Sequence, residues 1–165
     1  MSTDRPRRLS NKPRRRDCLL AALGGCTLML TAGCASKEII TQVSLNLAAG
    51  ADVNPDPNGR ASPLTVRLYV LKSSSGFASA DFFSLYDKES ATLGADLAQR
   101  EEALLRPGET KKFDFALKSD TRIIGIAAAY RDLDRARWRE LCTIPKDKKR
   151  YSLNLLFGAR RIKIT

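Results

Sequence analysis

The sequence has no histidine among its 165 residues. This removes Ser-His-Asp and Cys-His catalysis, histidine general bases and the commonest zinc ligand. Cysteine is scarce too, with four in the chain: Cys18, Cys26, Cys34 and Cys142. None forms a CxxC pair, and no glycine-rich phosphate loop occurs. No metal or cofactor is therefore expected. Long apolar runs are also missing. Cys18 to Leu30 spans 13 residues broken by Gly24 and Gly25, short of the roughly 20 that cross a bilayer. Internal repeats, heptads and low-complexity tracts are absent. Carboxylate-only catalysis survives in principle. Yet the acidic residues sit singly or beside basic neighbours. Asp132 and Asp134 flank a predicted turn, and Glu101-Glu102 precede a predicted strand. They read as solvated charges, and no enzyme is expected.

The first 34 residues carry a definite pattern. Arg5, Arg7, Arg8, Lys12, Arg14, Arg15 and Arg16 precede the apolar run, which leads to Leu30-Thr31-Ala32-Gly33-Cys34. Basic, apolar and small-residue regions in that order form a secretory signal. Ending it on Gly33-Cys34 predicts a bacterial lipoprotein, with residues 1–33 removed and the Cys34 thiol carrying the lipid. Thr31 stands where such signals usually hold Leu, Val or Ile, so a soluble secretory signal is the competing reading. Cys26 is a second candidate, but the apolar stretch before it, Cys18 to Ala22, is shorter than an h-region of about 7–15 residues. Arg15-Arg16-Asp17-Cys18-Leu19-Leu20 leaves the general and twin-arginine export routes both open. Ala35-Ser36 lacks the Asp that retains lipoproteins in the inner membrane. The outer membrane, periplasmic face, is therefore expected, with residues 34–38 as a tether.

Processing changes the charge. Seven of the 29 basic and two of the 18 acidic residues leave with the signal, so 22 and 16 remain and the net charge falls from +11 to +6. The surplus gathers in Lys146, Lys148, Lys149, Arg150 and in Arg160, Arg161, Lys163. Aromatic residues do not interleave these clusters as base stacking would need. No nucleic-acid partner is expected. Cys142 is the one thiol left unmodified, in the strand-like run Glu140 to Ile144, and is read as a core residue.

Residues 39–165 read as one domain of ordinary size. Val43, Leu45 and Leu47 alternate with Gln42, Ser44 and Asn46, marking a half-buried strand. A second strand runs from Leu64 to Leu71. Between them, Ala49 to Ser62 is rich in Asn, Asp, Gly and Pro, a turn-forming set. A loop that long in a compact domain is usually functional or disordered. Pro55 and Pro57 restrict it and make it a presented surface. From Ser79, a possible N-cap, the period changes: Phe82, Phe83, Leu85 and Tyr86 suit a short helix face packed on the sheet. A helical insertion is expected over about 77–98. Strands follow at 103–106, 112–117, 122–130, 138–144, 151–156 and 162–165. The apolar run Ile123 to Ala129 reads as a central strand buried on both faces. About eight short strands at regular spacing predict an all-β antiparallel sandwich.

An ordered set of segments then resembles a known family. Val53-Asn54-Pro55-Asp56 is followed by Asn58-Gly59-Arg60-Ala61-Ser62-Pro63, and the next strand ends Arg67-Leu68-Tyr69-Val70-Leu71-Lys72. Phe77, then Ser79 to Tyr86, Leu93-Gly94-Ala95-Asp96-Leu97, Arg106-Pro107-Gly108-Glu109 and the stretch from Ala127 to Trp138-Arg139 complete it. Behind a lipoprotein signal, this resembles the TssJ lipoproteins of the bacterial type VI secretion system. The resemblance implies a transthyretin-like β-sandwich with a small helical insertion. It also implies an outer-membrane lipoprotein that holds the periplasmic C-terminal domain of the inner-membrane protein TssM. In the family the loop between the first two strands takes part in that contact. Carried over by position, the contact candidates are Asn54, Pro55, Asp56, Asn58, Gly59 and Arg60. The alternative function is a lipid-anchored periplasmic carrier of a small ligand. The residues show no convergent polar set for one, and fold alone does not supply function.

Overall fold

The computed structural model describes residues 38–165. The signal segment, Cys34 and the tether up to residue 37 lie outside the described residues. Eight strands form two four-stranded sheets. They are β1 (Thr41–Ala49), β2 (Leu64–Leu71), β3 (Leu97–Leu105), β4 (Thr110–Leu117), β5 (Ile123–Ala128), β6 (Arg139–Thr143), β7 (Arg150–Phe157) and β8 (Ile162–Ile164). One sheet has the order β4-β1-β7-β8 and the other β3-β2-β5-β6. All pairings are antiparallel except β1 with β7, which is parallel. The alternation of the sequence sets which face is buried but not the direction of pairing. Strands this far apart in the chain are free of the hairpin constraint that makes neighbours antiparallel.

The alternating residues meet between the sheets. Val43, Leu45 and Leu47 of β1, Phe115 and Leu117 of β4, and Leu153, Leu155 and Phe157 of β7 pack against Val66, Leu68 and Val70 of β2 and Ile124 and Ile126 of β5. Each is at most 3% exposed. Burying one such side chain stabilises the fold by roughly 1.5–3 kcal/mol. Cys142, on the edge strand β6, is half-buried rather than a full core residue, and packs against the cluster from its rim. Burial raises its thiol pKa, so it stays protonated at neutral pH.

A second, smaller core lies on the outer face of the β3-β2-β5-β6 sheet. Three short helices cover it: α1 (Ser75–Ser79), α2 (Phe82–Asp87) and α3 (Glu89–Leu93). Phe77, Leu85 and Leu93 bury against Tyr69, Leu71 and Ala127. This double coverage explains the uninterrupted apolar run of β5. The cap of α2 is Asp81, whose carboxylate accepts the Ser84 amide at 2.9 Å. Ser79 instead closes α1, its hydroxyl donating to the Ser75 carbonyl. Phe83 does not join the mini-core, being 64% exposed. Glu101 and Glu102 lie within β3 rather than before it.

Register gives the sandwich two distinct ends. Gln42 pairs with Arg150, and Ala49 with Phe157. The chain therefore enters beside the turn 144–149, where the Thr41 hydroxyl donates to the Lys148 carbonyl. Buried Arg122 ties this end together, donating to the Thr41 hydroxyl and the Pro145 carbonyl, each at 2.9 Å. The loop 50–63, the turn after β3, the β5–β6 connection and the β7–β8 turn gather at the opposite end. β1 has nine residues, so the ends stand about 30 Å apart.

Candidate partner-binding surface

The loop 50–63 is fixed at its base and closed at its tip. Val53 is fully buried in the main core and Asn54 is 3% exposed. The Ser62 amide donates to the Val53 carbonyl at 3.0 Å, making a narrow neck. Asn54 takes a left-handed backbone conformation, φ 47°, which Asn tolerates better than other non-glycine residues. Its side-chain amide donates to the Pro63 carbonyl at 2.7 Å. Its side-chain oxygen accepts the Arg131 amide at 2.8 Å. Asn54 thus clamps the loop to the β5–β6 connection, and its side chain points inward rather than to a partner.

Asp56 organises the tip. One carboxylate oxygen accepts the amides of Asn58 and Arg60, each at 2.9 Å. The other accepts Arg60 Nε and Nη2, each at 2.8 Å. The Asp56 amide donates to the Arg60 carbonyl, and the Gly59 amide to the Asp56 carbonyl. Gly59 has φ 79°, a conformation that glycine adopts without strain. The Arg60 amide, first among these contacts, holds the Asp56 carboxyl below its usual pKa. It is ionised at neutral pH. Pro57, Asn58, Gly59 and Arg60 are exposed, with the Arg60 side chain at 76%, whereas Asp56 is at 13%. The six candidates therefore divide. Asn54 and Asp56 shape the loop, while Pro57 joins Asn58, Gly59 and Arg60 as the presented surface, with Pro55 half-buried behind them.

Charged side chains from two other turns surround the tip. Pro55, Asp56, Pro57 and Gly59 line a recess of about 450 Å³ together with Arg131, Asp132, Arg135 and Arg160. Arg160 Nε donates to the Asp132 carboxylate at 2.9 Å. Arg160-Arg161 stands out in the sequence as part of a basic cluster, whereas the arginines at 131 and 135 lie scattered through a predicted turn. Their convergence on the loop tip cannot be read there, because it depends on the pairing of β5 with β2 and of β7 with β1.

Among the described residues no group of three or more Cys, Asp or Glu side chains could hold a metal ion.

The family described as type VI secretion lipoprotein, VasD, EvfM, TssJ, VC_A0113, matches residues 41–161, from β1 to the β7–β8 turn. The chain belongs to this family. Among solved structures of the TssJ family, the lipoprotein TssJ1 from Pseudomonas aeruginosa is 43% identical, with a TM-score of 0.73 over 76% of this chain and 95% of that one. Lip of Serratia marcescens, a membrane-bound component of the type VI secretion system, is 27% identical. Its TM-score is 0.72 over 77% of this chain and 97% of that one. A chain in a structure of the TssM C-terminal domain from EAEC shares the fold, at 21% identity and a TM-score of 0.62, over 76% of this chain and 98% of that one. No curated protein sequence matches. The all-β sandwich with its helical insertion is thus the TssJ fold. Among the described residues no helix is long and apolar enough to cross a membrane.

Proposed function

We propose that this TssJ-family lipoprotein is held in the outer membrane by a lipid on Cys34 and anchors the type VI secretion membrane complex. It does so by binding the periplasmic C-terminal domain of a TssM-like inner-membrane protein. The observation that carries this reading is the internally hydrogen-bonded loop tip 55–60, presented at the end of the sandwich opposite residue 38. A tether at one end and a docking element at the other is what a link between two layers requires. Preorganisation strengthens the case. Pro55, Pro57, the Asp56 bonds and the Asn54 clamp reduce the entropy lost when the loop is ordered against a partner. The fold shared with a chain in the TssM C-terminal domain structure is compatible with the same partnership.

Deleting Asp52 to Gly59 would remove Val53 from the core and Asn54 from its clamp, so a deletion confuses folding with binding. The cleaner test alters exposed tip residues only. Pro57→Ala with Asn58→Ala, and separately Asn58→Trp, should leave the melting temperature unchanged. Both should cut capture of the TssM periplasmic domain in a pulldown, the Trp variant most. Undiminished capture by both variants would remove the tip from the interface.

A further inference from the structure

We infer that the loop end carries a second, basic docking groove beside the tip, and that its occupant is an acidic segment of the protein partner that binds there. The groove is a recess of about 750 Å³ whose walls include Arg135, Arg137, Arg160, Arg161 and Lys163, against one carboxylate, Asp52. Half-exposed Leu156 contributes an apolar patch to the floor. The recess shares Arg135 and Arg160 with the one under the loop tip. The two are therefore one continuous surface running from Pro57 to β8. The inference rests on the loop-docking function proposed above and extends it to the chemistry of the partner.

Three observations identify the occupant as anionic. First, Arg135, Arg161 and Lys163 make no ion pair among the described residues. In the pairs that do form, Arg160 with Asp132 and Arg137 with Glu140, the arginine is exposed and the carboxylate only partly buried, and pairs open to solvent in this way are weak and easily exchanged. Second, the backbone forces like charges together. The Arg137 amide donates to the Arg160 carbonyl at 2.8 Å, and the Ile162 amide to the Arg137 carbonyl at 3.4 Å. This isolated parallel bridge holds Arg137 beside Arg161. Like charges set side by side repel, and carboxylates bound between them relieve that repulsion. Third, guanidinium groups suit bidentate carboxylate recognition. A membrane surface is the poorer occupant, because the groove lies about 30 Å from the end where the chain enters the sandwich. A protein segment with clustered Glu or Asp and one apolar side chain fits its charge and its Leu156 floor.

The test uses the chain from residue 34 onward with Cys34→Ser. One variant carries Arg161→Glu with Lys163→Glu, and a second carries Arg161→Gln with Lys163→Gln in case reversal disturbs folding. Titration of the TssM periplasmic domain should show affinity that falls with salt. Charge reversal should weaken it about tenfold, mainly through the association rate, and neutralisation by less. Binding that is unchanged in both variants overturns the groove while leaving the loop reading intact. If the TssM domain fails to bind the parent protein, the loop reading falls and an acidic Glu-Leu-Glu-Glu peptide decides. Peptide binding to the parent that both variants lose supports the groove. No peptide binding, or equal binding by the variants, overturns it. Binding to phosphatidylglycerol vesicles, lost in the variants, in place of peptide or protein would also overturn it.

Discussion

At the scale of single residues, Asn54 carries the most structural consequence for its size. It joins two segments 77 positions apart through the Arg131 amide and occupies a backbone conformation that most side chains resist. Asn54→Ala removes two part-buried bonds, to the Pro63 carbonyl and from the Arg131 amide, and adds left-handed strain. The expected loss is about 1–3 kcal/mol for the unmade bonds, with roughly 1–2 kcal/mol more from the backbone. Asn54→Gly keeps the conformation and loses only the bonds, so it should fall between parent and Ala. Denaturant midpoints of the three proteins check the order. Equal stability of Gly and Ala variants would mean that the φ of 47° carries no cost. This role was not legible in the sequence. Asn54 sits among turn-forming residues and reads there as one more surface polar group. Only the packing of Val53 into the core reveals that the neck of the loop is interior. Gly59 and the prolines, by contrast, announce their roles by composition, because φ restriction and φ freedom are properties of the residue itself.

At the scale of elements, legibility follows the exposure of each strand's two faces. β1, β4 and β7 alternate cleanly because one face meets the core and the other meets water, whereas β2 alternates only until Tyr69 and Leu71 pass under the insertion. β5 reads as buried on both faces, and it is, beneath the insertion. β3 was expected only from 103 onward, yet it begins at Leu97. Its first half lies at a sheet edge with polar residues on both faces, so no period of two exists to be read. The insertion is positioned by contacts the sequence does not mark. Arg139 of β6 donates to the carbonyls of Phe77 and Ala80. The Arg67 guanidinium lies 3.7 Å over the Tyr86 ring and pairs with Glu102 at 2.6 Å. Beneath this, Tyr69 meets Phe77 edge-on at 5.4 Å, and burial pushes the Tyr69 pKa up to about 12. The closest approach is at Gly125, where a Cβ would lie 2.9 Å from the Phe77 ring. That ring is fully buried and cannot swing aside without lifting α1. Gly125→Ala should therefore destabilise by about 1–3 kcal/mol through overpacking. Phe77→Leu should lose stability alone but recover part of the Gly125→Ala cost when the two are combined. A double-mutant cycle by thermal or chemical unfolding reads this coupling, and strict additivity would show that the contact is not what excludes a side chain at Gly125.

At the scale of the whole molecule, the register of β1 with β7 turns a symmetrical-looking sandwich into a polar one. Basic residues mark both ends, Lys146 to Arg150 where the chain enters and Arg131 to Lys163 at the loop end, and composition alone cannot separate them. The parallel pairing does, because it places Arg150 beside Gln42 and Phe157 beside Ala49. The net charge of +6 expected after processing is thus divided between two surfaces with different neighbours, rather than forming one polycationic face. This division predicts that attachment and docking are separable. Cys34 lies outside the described residues, four positions before Glu38, and that spacing spans at most about 14 Å of extended chain. A lipid there would keep the entry end near the bilayer, and the loop end lies about 30 Å from that entry end. Cys34→Ser should release the protein from membranes into the soluble periplasmic fraction. The released protein should capture the TssM periplasmic domain as well as the membrane-bound form does, because the bonds that shape the loop run to Pro63 and Arg131 at its own end of the sandwich. Fractionation followed by pulldown measures both properties on one sample. Continued membrane pelleting would assign the attachment elsewhere. Release together with lost capture would mean that the two ends are coupled, contrary to the separation built into the β1–β7 register.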